Sequence, residues 1–267
     1  MARELVSAFR GGAILGLGNV FARGINFLLV FLYTSFFSPS EYGTLGYYLL
    51  LVPLIAAIIS LGVDAALKRY YFELDRQQFF GAVTKCVILI SVAFLLIGAI
   101  AFIFEATIGF ATFSYAHIVL ILLLAYLHLA IQLVLAYFTV TRQFLRTVKV
   151  SLFQALLLGG AIYITLSYIV VGIEAVLFAH LSVNAFLVFV FLFRFVPLAN
   201  LSFPSKDLKQ LIVYGAPLVF HTVGMYLLVV SDRIVLEEIA TPEELGVYIF
   251  GIQLAMVLNI VVIASNR

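Results

Sequence analysis

The residues best placed to do chemistry are polar groups at helical spacing inside apolar stretches. Within Gly18–Leu28 ("GNVFARGINFL"), Asn19, Arg23 and Asn26 stand at i, i+4 and i+7, so a 3.6-residue helix carries them as one stripe. A guanidinium inside a membrane span costs at least about 2.5–3.5 kcal/mol on insertion scales. Such a stripe therefore belongs against a cavity or a partner helix, where the always-charged, planar donor fork of Arg23 suits a diphosphate-type anion. The other reading is that Arg23 snorkels to the interface or that residues 1–22 form a surface helix. That leaves Gly24–Phe37 to cross, about 14 residues and short for a span. Gly12 and Gly16 lie near the same face at a spacing that permits close helix approach.

Further along, Pro217 should kink a helix that also carries His221, Asp232 and Arg233. His221, like His128, can hydrogen-bond as a neutral ring or take a proton near neutral pH. Asp232 and Arg233 are adjacent, point about 100° apart, and are expected to pair with other helices near one end of the span rather than with each other. Asp64 and Lys68 form an i, i+4 pair, with Arg69 beside them, either anchoring a helix end or gating a mouth. No catalytic set is recognisable. "GLGNVFARG" lacks the strand and glycine spacing of a dinucleotide site, no Walker A sequence is present, and no His/Cys/carboxylate cluster suggests a metal. No cofactor is expected, and the single cysteine, Cys86, rules out an internal disulfide.

These residues need helices in lipid to position them. The chain is 65% hydrophobic and 10% charged, against about 45–50% and about 25% in soluble domains. Apolar runs of about 18 residues or more are long enough to cross the hydrocarbon layer as helix, and a barrel would instead alternate in short segments. The expected fold is an all-α integral membrane protein with about eight transmembrane helices, roughly 11–37, 44–66, 86–104, 117–140, 151–171, 174–193, 211–236 and 247–264. The start, "MARELVSAFRGG", does not read as a cleavable signal.

Charge orients the spans. Arg3, Arg10, Lys68, Arg69, Arg76, Lys85, Arg142, Arg146, Lys149, Arg194, Lys206, Lys209 and Arg267 all fall on one side if eight spans alternate. The other side carries Glu41, Glu105, Glu174, Glu237, Glu238, Glu243 and Glu244. By the positive-inside rule the N-terminus is cytoplasmic, in the inner membrane. Connections are short, so function must lie between helices.

Two connections match. "SPSEYGTLGYY" (Ser38–Tyr48) and "TPEELGVYIFG" (Thr241–Gly251) both read Ser/Thr-Pro-x-Glu-x-Gly, a helix start with the hydroxyl as N-cap, Pro at the first helical position and Glu reaching back. They are either two independent capping boxes or the marks of a parallel repeat. The repeat predicts a six-helix lobe over residues 1–200 and the first two helices of a second, truncated lobe over 201–267.

The stretches "FFSPSEYGTLGYY", "LGVDAALKRYYFE" and "YGAPLVFHTVGMYLLVVSDRIVLEEIATPEELGVY" resemble the polysaccharide (O-antigen) flippase branch of the multidrug/oligosaccharidyl-lipid/polysaccharide exporter superfamily. The second is similar to that family's Gly-x-x-x-Ala-x-x-(Arg/Lys)-Tyr pattern, and the third to its seventh helix with an Asp-Arg pair. The resemblance implies two lobes, a central cavity, alternating access and no enzymatic activity. Its cargo would be an isoprenoid-diphosphate-linked oligosaccharide moved from the cytoplasmic to the outer leaflet for lipopolysaccharide or other surface polysaccharide. The partners would then be that cargo, membrane lipids, a proton or Na⁺ for coupling, and polysaccharide polymerase machinery, with no nucleic acid. In that setting Arg23, Asn19, Asn26 and His221 are the expected cavity residues. Asp64, Lys68, Arg69, Pro217, Asp232 and Arg233 are the expected gating or boundary residues. A cation-coupled multidrug exporter is the alternative, though helices one to six offer no mid-depth carboxylate for a cationic drug. A membrane glycosyltransferase or polymerase is more remote, because the outer connections are short.

Overall fold

A computed structural model describes the backbone of residues 2–107, 115–195 and 205–265; side chains at 2–10, 19, 105–107, 115, 205–207 and 256–265 lie outside what it describes. Among the described residues the chain is helical: α1 (Ala2–Phe36), α2 (Pro39–Ile59), α3 (Val63–Tyr70), α4 (Arg76–Thr107), α5 (Tyr115–Val140), α6 (Phe144–Tyr168), α7 (Ile173–Phe195), α8 (Ser205–Ile239) and α9 (Pro242–Ser265). Seven of these, all but α3 and α9, are long and apolar enough to cross a membrane. With 24 residues, α9 spans about 36 Å at the α-helical rise, enough for an eighth crossing. The chain is an all-α integral membrane protein, as its composition requires.

The expected second helix, 44–66, is two helices. It starts earlier, at Pro39, where its own capping box places it, and it stops at Ile59. The break has a local cause. Leu61 and Gly62 both take left-handed backbone, with φ of 50° and 71°, and the Ser60 hydroxyl accepts the Gly62 N–H at 3.2 Å while donating to the Ala57 carbonyl. The chain then restarts as α3, whose eight residues reach only about 12 Å and cannot cross. The α1 helix is continuous from Ala2 to Phe36, so residues 1–22 are not a separate surface helix.

By their packing the helices fall into two compact units, Met1–Tyr48 with Thr141–Val183 and Ser231–Arg267, and Leu49–Val140 with Asn184–Val230. In the first unit α1 lies along α6. Gly11 and Gly18 admit this approach: a Cβ on Gly11 would meet the Phe144 ring and one on Gly18 would meet Val148, whereas one on Gly12 would meet nothing. Leu29 lies against Gly159 farther on. The contacts advance together along both helices (11 with 144, 18 with 148, 29 with 159), so α1 and α6 run parallel. Parallel helices require an even number of direction changes between them. The crossings of α2, α4 and α5 with a non-crossing α3 supply it.

In the same unit the starts of α2 and α9 meet. A Cβ on Gly43 would lie 2.5 Å from the Pro242 carbonyl oxygen, and one on Gly246 would collide with the Pro39 carbonyl. The contact is reciprocal, each glycine lying against the proline of the other helix start. Farther in, Gly46 lies against Ile249. Both capping boxes close. The Ser38 N–H donates to Glu41 Oε2 at 2.9 Å and the Glu41 N–H to Ser38 Oγ at 3.4 Å; Thr241 and Glu244 do the same at 2.8 and 3.3 Å. Pro39 and Pro242 stand 203 residues apart, and α1 and α8 begin and end with the same offset, each 35 residues long.

In the second unit α3 docks on α8. Gly62 faces the Gly215 backbone with no room for a Cβ on either glycine. Ala66 is fully buried, and the Arg69 guanidinium lies 4.5 Å from the centre of the Tyr214 ring. Gly62, Ala66, Arg69 and Tyr70 are the family-like pattern noted above; spacings of four and three put the first three along one face, and Tyr70 beside them meets the Tyr214 ring edge-on. Here that face docks α3 on its partner helix.

Candidate functional site

The polar stripe of α1 is defined by what continues it. Adding one helical step to Asn19, Arg23 and Asn26 reaches Val30, and another reaches Tyr33, all on one face at about 100° per residue. Arg23 and Asn26 are exposed; Val30 and Tyr33 are 4% and 7% exposed. The side chain of Asn19 lies outside the described ones. The Tyr33 ring packs 6.4 Å from that of Tyr42 at the start of α2, and the Tyr42 hydroxyl donates to Gln253 Oε1 on α9 at 2.6 Å. Toward the α2/α9 crossing, then, the face bearing Arg23 is covered by protein.

The opposite face of α1 is different in kind. Leu17, Phe21, Leu28 and Phe31 are each at least half exposed, and they recur at helical spacing roughly opposite the Arg23 stripe. An exposed row of large apolar side chains in a membrane helix is its lipid face. Arg23 and Asn26 therefore lie on the face opposite this row, in line with buried Val30 and Tyr33.

The remaining expected residues are placed as follows. Asp64 and Lys68 form the i, i+4 ion pair at 3.8 Å on α3, both substantially exposed. Arg69 pairs instead with Glu73, Nε to Oε1 at 3.0 Å. Hydrogen bonds that Arg69 donates to Glu73 and Tyr214 hold its guanidinium above its already high range, so it is a permanent cation at this end of the molecule. Pro217 sits inside α8, which continues through it. His221, one turn on, is exposed, and His128 is half-buried with its Nε2 3.4 Å from Gln132 Nε2. Asp232 was expected to find a cation on another helix. Among the described residues its partners are the Tyr248 hydroxyl of α9, which donates to Oδ2 at 2.6 Å, and the Arg233 backbone N–H at 2.8 Å. It links two helices, through a tyrosine. The Arg233 Nε is buried without a hydrogen-bond partner among the described residues.

Sequence reasoning missed Tyr42, Gln253, Tyr248, Tyr214 and Gly215 as contact residues. The signal for Gly215 was present: 203 residues separate it from Gly12, the offset between the two capping boxes. The tyrosine hydroxyl contacts have no periodic signature, because each depends on which helix lies opposite.

The seven spans define a multi-pass membrane protein. The chain belongs to the polysaccharide biosynthesis protein family, whose model matches residues 8–267. That family covers flippase-type transporters of the multidrug/oligosaccharidyl-lipid/polysaccharide exporter superfamily. Curated proteins and solved structures give no match.

Proposed function

We propose that the protein is a flippase that carries an isoprenoid-diphosphate-linked oligosaccharide from the cytoplasmic to the outer leaflet by alternating access. The observation that carries this reading is the placement of Arg23 and Asn26 on α1, opposite its lipid face and in line with buried Val30 and Tyr33. A guanidinium fork with an amide one turn away can hold a diphosphate by charge-assisted hydrogen bonds. The direction is also favourable. With the cytoplasm negative, outward movement of one negative charge gains about 2.3 kcal/mol per 100 mV, so the potential can drive transport, with a proton or Na⁺ as the other available fuel. The N-terminus and the basic connections lie in the cytoplasm.

In this reading residues 1–200 form one lobe and residues 201–267 belong to a second. Three features support the repeat: the equal lengths of α1 and α8, the shared offset of 203, and the reciprocal approach of Gly43 and Gly246. The α2/α9 crossing and the Asp232–Tyr248 bond hold the outer end shut. The Asp64–Lys68 pair and the Arg69–Tyr214 contact secure the cytoplasmic end, and Pro217 lets α8 bend one turn from His221.

The test is reconstitution of the full-length protein in vesicles with a fluorescent isoprenoid-diphosphate saccharide. Hydrogen bonds to charged groups are worth about 1.5–3 kcal/mol, so Arg23→Gln should slow flipping roughly 10- to 100-fold. Arg23→Lys should recover part of the rate, and an unchanged rate in Arg23→Gln removes the assignment of the anion site.

A further inference from the structure

Beyond the transport path, the second unit holds a cavity of about 400 Å³ among α4, α5 and α7, within the usual range of about 300–1,000 Å³ for ligand pockets. Its lining is apolar and rich in rings: Phe79, Phe80, Tyr126, Tyr137, Phe191 and Phe195. The floor is firm, with Phe79, Ile90 and Leu129 buried, while Val87, Ile88 and Leu192 at its edge are exposed. It is an open groove in a membrane-facing surface.

Two features identify what fills it. The first is length. Along α4 the lining runs from Phe79 to Ile90, about 16 Å of helix, close to half of the roughly 30 Å hydrocarbon layer. The groove is as deep as one leaflet. The second is charge. At its Phe79/Phe195 end, Arg76 opens α4 three residues before Phe79, and Arg194 adjoins Phe195 in the last turn of α7. The acids of the same connection are engaged: Asp75 accepts the Gln78 N–H at 2.8 Å, and Glu73 holds Arg69. Tyr137 stacks on Phe79 and meets Phe195 edge-on, making an aromatic collar at that end. At the other end the Ser91 and Tyr126 hydroxyls bond to each other at 2.7 Å, so neither of them calls for a ligand headgroup.

We propose that this groove is a binding site for one acyl chain of an anionic glycerophospholipid from the leaflet on the basic side, with the headgroup at Arg76 and Arg194. A chain there is wrapped by three helices, unlike a chain in the ordinary lipid shell, and the two arginines select its charge. The lipid serves as a fixed filler that keeps α4, α5 and α7 in register.

Native mass spectrometry of the purified full chain tests this with phosphatidylglycerol and phosphatidylcholine of identical acyl composition. The site predicts one retained phosphatidylglycerol at concentrations roughly tenfold or more below those needed for phosphatidylcholine. Arg76→Gln with Arg194→Gln should abolish the preference but keep chain binding. Ala130→Trp, which fills the groove, should abolish the retained lipid; Val134→Phe is the milder variant should the first fail to fold, with thermal melting as the fold check. Equal, multiple adducts of both lipids, unchanged by either filling variant, overturn the proposal. So does displacement of phosphatidylglycerol by a polyprenyl phosphate, which would assign the groove to a cargo tail instead.

Discussion

At the scale of the residue, Arg23 and Gly62 show two ways in which a side chain, or the lack of one, is fixed by its surroundings. Gly62 has left-handed backbone and faces the Gly215 carbonyl. Gly62→Ala therefore adds backbone strain and a collision at once, each worth about 1–3 kcal/mol. A loss of more than about 2 kcal/mol in detergent unfolding is expected, with Gly98→Ala, where a Cβ meets nothing, as the neutral control. Arg23 stands out in the sequence because an isolated charge at 3.6-residue spacing with two amides has few explanations in lipid. The sequence did not show what shares the helix with the stripe: exposed Leu17, Phe21, Leu28 and Phe31 on the far side and buried Val30 and Tyr33 on the near side. Asp232 marks the limit of such reading. Sequence predicts that a membrane carboxylate needs a partner, but the donor is Tyr248, an ordinary aromatic until α9 is placed. Removing it with Tyr248→Phe leaves Asp232 short of one donor. A double-mutant cycle with Asp232→Asn should give a coupling of about 1.5–3 kcal/mol, as for hydrogen bonds to charged groups.

At the scale of the element, the capping boxes were fully readable and set the starts of α2 and α9 better than the apolar runs did. The runs alone suggested starts at 44 and 247; the Ser/Thr-Pro-x-Glu pattern gives Pro39 and Pro242, where the helices begin. The break at Ser60–Gly62 was missed because an apolar run continues through it, and hydropathy does not register two left-handed residues. The glycines of these motifs have a second use that the motif does not announce. Gly43 and Gly246 let two helix starts cross backbone to backbone. Gly246→Val should therefore destabilise the protein by about 1–3 kcal/mol through overpacking. Thr241→Ala, which removes only the cap, should cost about 1 kcal/mol. The two effects separate the crossing from the helix start: in the flipping assay the crossing variant should alter transport beyond its effect on stability, whereas the cap variant should follow stability alone.

At the scale of the whole molecule, the path through the membrane rests on a parity argument with two independent legs. The charge bias requires that every connection rich in Lys and Arg share one side. The parallel packing of α1 and α6, from Gly11 on Phe144 to Leu29 against Gly159, requires an odd number of crossings between those helices. A crossing α3 would break both requirements; α3, at eight residues, meets neither the length nor the apolarity of a span. The lone buried Cys86 makes this directly testable, since Cys86→Ser gives a thiol-free background. Single cysteines replace Gln77 and Leu145, exposed on the basic side, and Glu243, exposed on the acidic side. In intact cells a membrane-impermeant thiol reagent should label only the cysteine at 243, and in inverted vesicles only those at 77 and 145. Opposite labelling of 77 and 145 would mean that the number of crossings between them is odd. Uniform labelling of 77 and 145 from outside would keep the parity and invert the orientation, placing the basic connections outside and turning the membrane potential against outward movement of an anionic cargo.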